Sequence, residues 1–129
     1  MCDMIDKMIR GELIDPITRL PNEKFLEELS KDSSDGYQIL EISVTLENLD
    51  KTYKNIAISK VASVIKHSVR IPMDMVVRTG EYDFAVIMGN SDESSAKIVA
   101  DRLRTNLSYL SMGLGGKTVR VKPIVRIGK

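Results

Sequence analysis

The chain has 129 residues, of which 43% are hydrophobic and 29% are charged, so it can build one domain with its own core but not two ordinary domains. The formal net charge is +1, which by itself indicates no nucleic-acid or membrane partner, although acidic side chains predominate in residues 1–50 and basic ones in residues 51–129. A single cysteine, Cys2, excludes an internal disulfide, and no apolar run approaches the ~20 residues of a membrane span, so we expect a cytoplasmic protein.

Two short helices are predicted before the first strand. Residues 3–12 place four apolar side chains on one helical face: Met4, Ile5, Met8 and Ile9. Asp15-Pro16 interrupts the helical pattern, because a residue before proline avoids the helical region. We therefore assign residues 1–14 to a lead helix and 15–129 to the domain. Asn22 is the predicted N-cap of the second helix, with Phe25, Leu26 and Leu29 on its apolar face. Residues 33–36 are predicted to form a loop.

A strand and a helix are predicted next. Residues 37–46 alternate apolar and polar side chains, with Ile42 and Val44 on one face, which predicts a half-buried strand. The polar residues 47–55 are expected to form a loop or a broken helical turn. Residues 56–69 carry apolar side chains at spacings of three and four and are predicted to be a helix that Ile71-Pro72 terminates.

A β-hairpin is predicted around Gly80. The runs Met75–Val77 and Phe84–Met88 are almost entirely apolar, which indicates a central hairpin buried on both faces. Gly80 is expected to adopt a positive φ in the connection. The turn would place Glu81, Tyr82 and Asp83 at the rim of the sheet. A turn of this composition could equally be a solvated connection without a function.

The C-terminal third is predicted to contain a capped helix and further strands. Asn90–Asp92 should cap a helix over residues 93–107, whose inward side chains are Ala96, Val99, Ala100, Leu103 and Leu107. Gly113–Gly116 is expected to be flexible, and residues 117–127 should form one or two strands split or edged by Pro123. Helices that alternate with strands predict a two-layer sandwich of one sheet and its packed helices.

Two segments resemble the signatures of GGDEF domains, the diguanylate cyclases of bacterial signalling. Residues 15–22, DPITRLPN, resemble the entry motif D-x-L-T-G-L-P-N, and residues 78–88, RTGEYDFAVIM, resemble R-x-G-G-D-E-F-A-V-L-L. Two further segments resemble helical segments of the family less specifically: Val61-Ala62 and residues 100–104, ADRLR. All four segments follow one another in the family order. The resemblance implies an α/β (α+β), palm-type nucleotide-cyclase-like fold with a mostly antiparallel central sheet of about five strands wrapped by helices.

The signature departs from the active pattern. Active members of the family make cyclic di-GMP from two GTP, with two divalent metals held between a strand carboxylate and the hairpin turn. The strand carboxylate falls near Ile42 or Ser43 here, and a slip of one or two residues would bring Glu41 to its place. The five signature positions read Gly80, Glu81, Tyr82, Asp83 and Phe84. Tyr82 replaces a metal-binding acid, so the resemblance implies no metal site and no cyclase activity, with magnesium relevant only to residual nucleotide binding.

The guanine pocket is also altered. The family motif F-K-x-I-N-D reads LENLDK at residues 46–51, so that Asp50 replaces asparagine and Lys51 replaces aspartate. The following G-H-x-x-G-D motif is absent, and residues 54–59 stand in its place. Asp50 and Asp83 remain candidates for contact with a ligand.

A second candidate site involves Arg70 and Asp74. Many family members bind their product through an R-x-x-D motif, with five residues between its Asp and the signature. Asp74 has that spacing to Gly80, but Ile71 stands where the arginine is expected and Arg70 lies one position early. Arg70 and Asp74 are therefore candidates for binding cyclic di-GMP through the planar guanidinium. The alternative is that Arg70 caps the end of the preceding helix, where cations are favoured.

We expect a catalytically inactive GGDEF-like signalling module that works through other signalling domains or proteins, including a homodimer, and that could bind cyclic di-GMP or another nucleotide. One alternative is a residual metal-dependent nucleotide phosphohydrolase that uses Asp83, Glu81 and Glu41. A second alternative is nucleic-acid binding by the basic C-terminal half, where no aromatic side chain offers stacking and a solvated strand face is favoured: Lys117, Arg120, Lys122, Arg126 and Lys129. His67, the single histidine, is predicted to lie on a helix surface.

Overall fold

A computed structural model describes residues 13–25, 37–70, 74–89 and 92–128. Several predictions concern segments outside the described residues. These segments are the predicted helix over residues 3–12, the second helix beyond Phe25, the loop at 33–36, Ile71-Pro72 and Lys129. The described helices and strands follow one another in the order β1 (Tyr37–Thr45), α1 (Lys51–Ser68), β2 (Asp74–Arg78), β3 (Asp83–Gly89), α2 (Glu93–Tyr109), β4 (Ser111–Leu114), β5 (Lys117–Arg120) and β6 (Lys122–Gly128).

Among the described residues the main sheet has four strands in the order β2-β3-β1-β6, and each neighbouring pair is antiparallel, which confirms the expected antiparallel sheet. About five strands were expected, and in the described part of the chain β4 and β5 form a separate two-stranded sheet. The register places Ser43 of β1 opposite Asp83 of β3 on one side and opposite Ile124 of β6 on the other. The β1–β3 pair, and not the β2–β3 hairpin, is the centre of the sheet.

The core lies mainly between α1, α2 and one face of the sheet. The alternating side chains of β1, Leu40, Ile42 and Val44, are buried there, as the period-two pattern predicts. A smaller cluster of Leu13, Phe25, Val77 and Ile87 covers part of the opposite face. Burial on both faces is confirmed for β3. In the edge strand β2 it holds for Val76 and Val77, whereas Met75 is 37% exposed.

The first helix of this core begins earlier than predicted. Residues 47–55 were expected to form a loop or a broken helical turn, but residues 51–55 belong to a continuous helix, since α1 starts at Lys51. Asp50 is its N-cap, and its Oδ1 accepts the Tyr53 N–H at 2.9 Å. This bond satisfies one of the free donors of the first turn, so a polar segment with little apolar periodicity can still be helical.

The second helix agrees with the prediction. Asp92 caps α2 through a bond from Ser95 N–H at 2.9 Å, and every predicted inward side chain is buried. Asn22 likewise caps a helical turn, since its Oδ1 accepts the Phe25 N–H at 3.2 Å. Among the described residues, no helix combines the length and the apolarity that a bilayer crossing requires.

The C-terminal glycines form a defined turn. Gly113–Gly116, expected to be flexible, contains the end of β4 and the β4–β5 turn, where Gly115 and Gly116 have φ of 60° and 80°. The break between the last two strands falls at Val121 rather than at Pro123. Pro123 lies within β6, and the prediction of an edge position is confirmed because β6 borders the sheet.

Candidate functional site

Arg78 fixes the β2–β3 turn to the N-terminal loop. Its Nη1 donates to both Asp15 carboxylate oxygens at 3.0 Å, while its Nε and Nη2 donate to the carbonyl oxygens of Gly80 at 3.1 Å and of Glu81 at 2.8 Å. The Arg78 and Asp15 side chains are only 10% and 16% exposed. One nearly buried guanidinium thus joins two segments that are 63 residues apart in the chain.

Asp15 is held in its ionised form. Burial alone would raise the pKa of this carboxyl group, but the hydrogen bonds from the Thr18 N–H and hydroxyl, together with Arg78, outweigh burial and lower the pKa below its ordinary value. The loop and the turn are therefore joined by a charge-assisted contact at neutral pH.

The acidic residue at the fourth signature place, Asp83, is hydrogen-bonded to β1. The Ser43 hydroxyl donates to Asp83 Oδ1 at 2.7 Å, and the Asp83 carbonyl oxygen accepts from the N–H groups of Thr79 and Gly80. The expected positive φ at Gly80 is wrong, since only Gly115 and Gly116 among the described glycines have one. A Cβ added at position 80 would lie 2.7 Å from Asp83 Oδ2, so the end of the Asp83 side chain would have to shift.

The side chains at the second and third places of the signature, Glu81 and Tyr82, both contact other parts of the domain. Glu81 forms an ion pair with Lys54 in the first turn of α1. The hydrogen bond from Lys54 lowers the pKa of Glu81 and raises the pKa of Lys54. Tyr82 is half-buried against the main core, and its carbonyl oxygen accepts from Val44 N–H at 3.0 Å. Phe84, at the fifth place, is 1% exposed and belongs to the core.

The carboxylates that could serve residual catalysis do not converge. Glu41 lies opposite Ala85 and forms an ion pair with Arg126 on β6 at 3.5 Å, whereas Glu81 faces Lys54 and Asp83 faces Ser43. Within the described ranges, no three side chains of His, Cys, Asp or Glu lie close enough together to hold a metal ion. These donors therefore do not fit a divalent cation, which prefers several oxygen ligands in one place.

The register also decides which β1 residue stands at the rim. Ile42 is 1% exposed and faces the main core, so of the two residues considered from the sequence it is Ser43 that meets Asp83. Glu41 is on the same face as Ser43 but two residues further from the turn.

Arg70 and Asp74 form a closed pair beyond the C-terminal end of α1. Arg70 donates to Asp74 through its backbone N–H at 2.8 Å, its Nε at 3.1 Å and its Nη2 at 3.0 Å. The Asp74 side chain is 0% exposed and the Arg70 side chain 36% exposed. Arg102 of α2 lies nearby and donates to the Ser68 carbonyl oxygen at 3.2 Å. The structure thus brings the two predicted residues together, but only Arg70 presents a surface to a ligand.

Arg102 was not singled out from the sequence, because its proximity to α1 arises from helix packing across 34 residues. Asp50, another candidate, is exposed and acts as the helix cap described above. His67 is exposed on α1, as predicted, and its Nδ1 lies 2.7 Å from the Ser63 carbonyl oxygen. The basic side chains of the last strands are exposed as expected: Lys117, Arg120, Lys122 and Arg126.

No protein-family model and no curated protein matches the sequence. Solved structures match it along most of its length. The diguanylate cyclase SiaD of Pseudomonas aeruginosa, solved with its activator SiaC, has a TM-score of 0.73 at 19% identity, with 99% of this chain and 58% of that chain covered. The FimX GGDEF domain of the same organism also has a TM-score of 0.73, at 14% identity, with 89% and 78% covered. The chain has a GGDEF-like fold.

A third GGDEF structure, DgcB of Caulobacter crescentus with its coiled coil and bound c-di-GMP, has a TM-score of 0.71 at 17% identity, with 99% of this chain and 75% of that chain covered. The GGDEF-like architecture implied by the two motifs is thus confirmed. The chain spans little more than half of SiaD, at 58%. Whether the GGDEF-like site is active depends on its residues.

Proposed function

We propose that this chain is a GGDEF-like signalling module that lacks diguanylate cyclase activity and acts through contacts with other proteins. The observation that carries the proposal is the environment of Asp83. Asp83, the acid that remains in the signature, accepts a hydrogen bond from the Ser43 hydroxyl. Tyr82 stands beside it in place of a second acid. The other nearby carboxylate, Glu81, is paired with Lys54.

The charges explain why such a site would not catalyse cyclisation. Two divalent metals would have to offset the triphosphate charge and stabilise the charge that develops in the transition state. Ser43 and Tyr82 supply no carboxylate for them, and Lys54 already neutralises Glu81. Asp50 is engaged as a helix cap in the segment that would hold the base.

The neighbours support a regulatory role of this kind. SiaD was solved with an activator protein, and both DgcB and Vibrio cholerae LapD were solved with bound c-di-GMP. For this chain we propose a protein partner in a bacterial cytoplasm, with cyclic di-GMP as a ligand of the Arg70 side chain, which is 36% exposed. The buried Asp74 then positions Arg70 and does not itself contact the ligand.

The test of inactivity is a cyclisation assay with GTP and either magnesium or manganese. We expect no cyclic di-GMP at any protein concentration, and product that increases with the concentration of the domain would refute the proposal. Calorimetry with cyclic di-GMP tests the ligand separately.

Three variants make the binding test specific. Arg70→Ala should abolish binding, and Asp74→Asn should weaken it, because the guanidinium loses its fixed orientation. The matched control is Arg126→Ala, which removes an exposed arginine that also pairs with a carboxylate but lies on β6. Equal binding by all three variants would exclude the Arg70 site and leave protein contact as the proposed mode of action.

A further inference from the structure

The outer edge of β6 lacks a neighbouring strand among the described residues. The opposite edge is partly covered, since Arg78 N–H of β2 donates to the Pro21 carbonyl oxygen at 2.8 Å and Asn22 forms a bridge with Arg78. An uncovered edge presents main-chain donors and acceptors that can pair with another strand. How β6 is protected therefore bears on the association state of the chain.

The register identifies the outward-facing groups of β6. In antiparallel pairs the N–H and C=O of one residue point to the same neighbouring strand, and the direction alternates along the chain. Val44 N–H donates to Tyr82, on the β3 side of β1. Ser43 and Glu41 consequently direct their main-chain groups towards β6, where they face Ile124 and Arg126. The residues in between direct theirs outwards: Pro123, Val125 and Ile127.

Two features reduce the number of these outward main-chain groups that can bond to another strand. Pro123 has no N–H to donate. The Val125 carbonyl oxygen accepts from Arg104 Nη2 of α2 at 2.8 Å. The other terminal nitrogen of Arg104, Nη1, donates to Asp101 Oδ1 at 2.7 Å in an exposed ion pair within α2, which contributes little to the position of the guanidinium. The Val125 N–H and both main-chain groups of Ile127 remain for a second strand.

We propose that Arg104 weakens strand addition at this edge, so that without its guanidinium β6 pairs more tightly with a second copy of the chain. A second copy fits because Pro123 and Ile127 lie two residues on either side of Val125, so that the same strand can pair with itself about that residue. Antiparallel pairing about a twofold axis there would let the two Val125 residues exchange both main-chain bonds, with each Ile127 N–H facing the Pro123 carbonyl of the other copy. Ile124, at 57% exposure, adds apolar surface beside this contact.

The test compares Arg104→Ala with the wild-type chain by sedimentation velocity from micromolar to millimolar concentration. Restoring the central bonded pair should tighten self-association about tenfold. Asp101→Ala is the matched control, because it removes the other contact of the same guanidinium and leaves the Val125 bond. It should sediment like the wild-type chain.

Two further measurements locate the association. Adding Ile127→Pro to Arg104→Ala removes an outward donor and should return association to the wild-type level. Amide hydrogen exchange should show new protection at Val125 and Ile127 in Arg104→Ala at high concentration. Unchanged sedimentation of Arg104→Ala, or association without that protection, would overturn the proposal.

Discussion

The contact between the β4–β5 turn and the first turn of α1 gives a sharp stability prediction. Gly115 has φ of 60°, and a Cβ added there would lie 3.0–3.2 Å from three atoms at the end of the Tyr53 side chain. A side chain in the left-handed region costs about 1–2 kcal/mol. The half-buried ring must also shift, and overpacking of this kind costs about 1–3 kcal/mol. Gly115→Ala should therefore lower the free energy of unfolding by about 2–5 kcal/mol.

Two neighbouring glycines separate these contributions. Gly116 has φ of 80° but an added Cβ would meet nothing within 4 Å, so Gly116→Ala should cost only the backbone strain, about 1–2 kcal/mol. Gly113 has neither a positive φ nor a neighbour within 4 Å, and Gly113→Ala should be neutral or stabilise by less than about 1 kcal/mol.

The measurement is urea unfolding followed by circular dichroism, with each glycine variant also made in a Tyr53→Ala background. Removal of the ring should relieve the packing part of the Gly115→Ala penalty and leave the strain, so that the double mutant shows a favourable coupling of about 1–3 kcal/mol. Equal penalties at positions 115 and 116, or zero coupling with Tyr53, would refute the reasoning. The outcome bears on the site, because Tyr53 precedes the Lys54 that holds Glu81.

Four other predictions concern the signature turn and the residues around it. Arg78→Ala should cost about 2–3 kcal/mol in chemical unfolding, since it leaves Asp15 without its cation, and a cost near zero would contradict the turn anchor. The pKa of Asp15 is lowered on folding, so its contribution is complete above the ordinary value of 3.8 and is lost as the pH falls below it; Asp15→Asn should show less of this acid dependence in unfolding measured against pH. Phe84→Ala should cost about 3–5 kcal/mol, and an unchanged melting temperature would contradict its core position. Ser43→Asp with Tyr82→Glu should increase manganese affinity in calorimetry without restoring cyclase turnover, and clear cyclic di-GMP formation would show that the altered segment after Asp50 does not block catalysis.

Periodic segments could be read directly from the sequence. β1 and α2 were predicted because each buries one face, so their apolar side chains repeat at periods of two and of three to four. The start of α1 was missed because its first turn is held by the Asp50 cap and carries mainly polar residues. The sequence predicts a flexible segment where the β4–β5 turn lies, because a run of glycines has the same composition in a tight turn and in a mobile loop.

The candidate site, like the fold, could be predicted from the sequence only in part. The two motifs and the R-x-x-D spacing pointed to the β2–β3 turn and to the Arg70–Asp74 pair, whose members are four residues apart and can meet through local geometry. They did not show that Asp74 is fully buried within the pair, which depends on the surrounding packing.

The sequence by itself determined which chemical groups are present at the signature, including the tyrosine that stands where a carboxylate is expected. Only the tertiary structure decided which partner each charged group has. Lys54 meets Glu81 across 27 residues, Ser43 meets Asp83 across 40, and Arg78 meets Asp15 across 63. The physical reason is that each contact depends on strand register or on the docking of a helix or loop, and register changes the partner of every side chain when it shifts by a single residue.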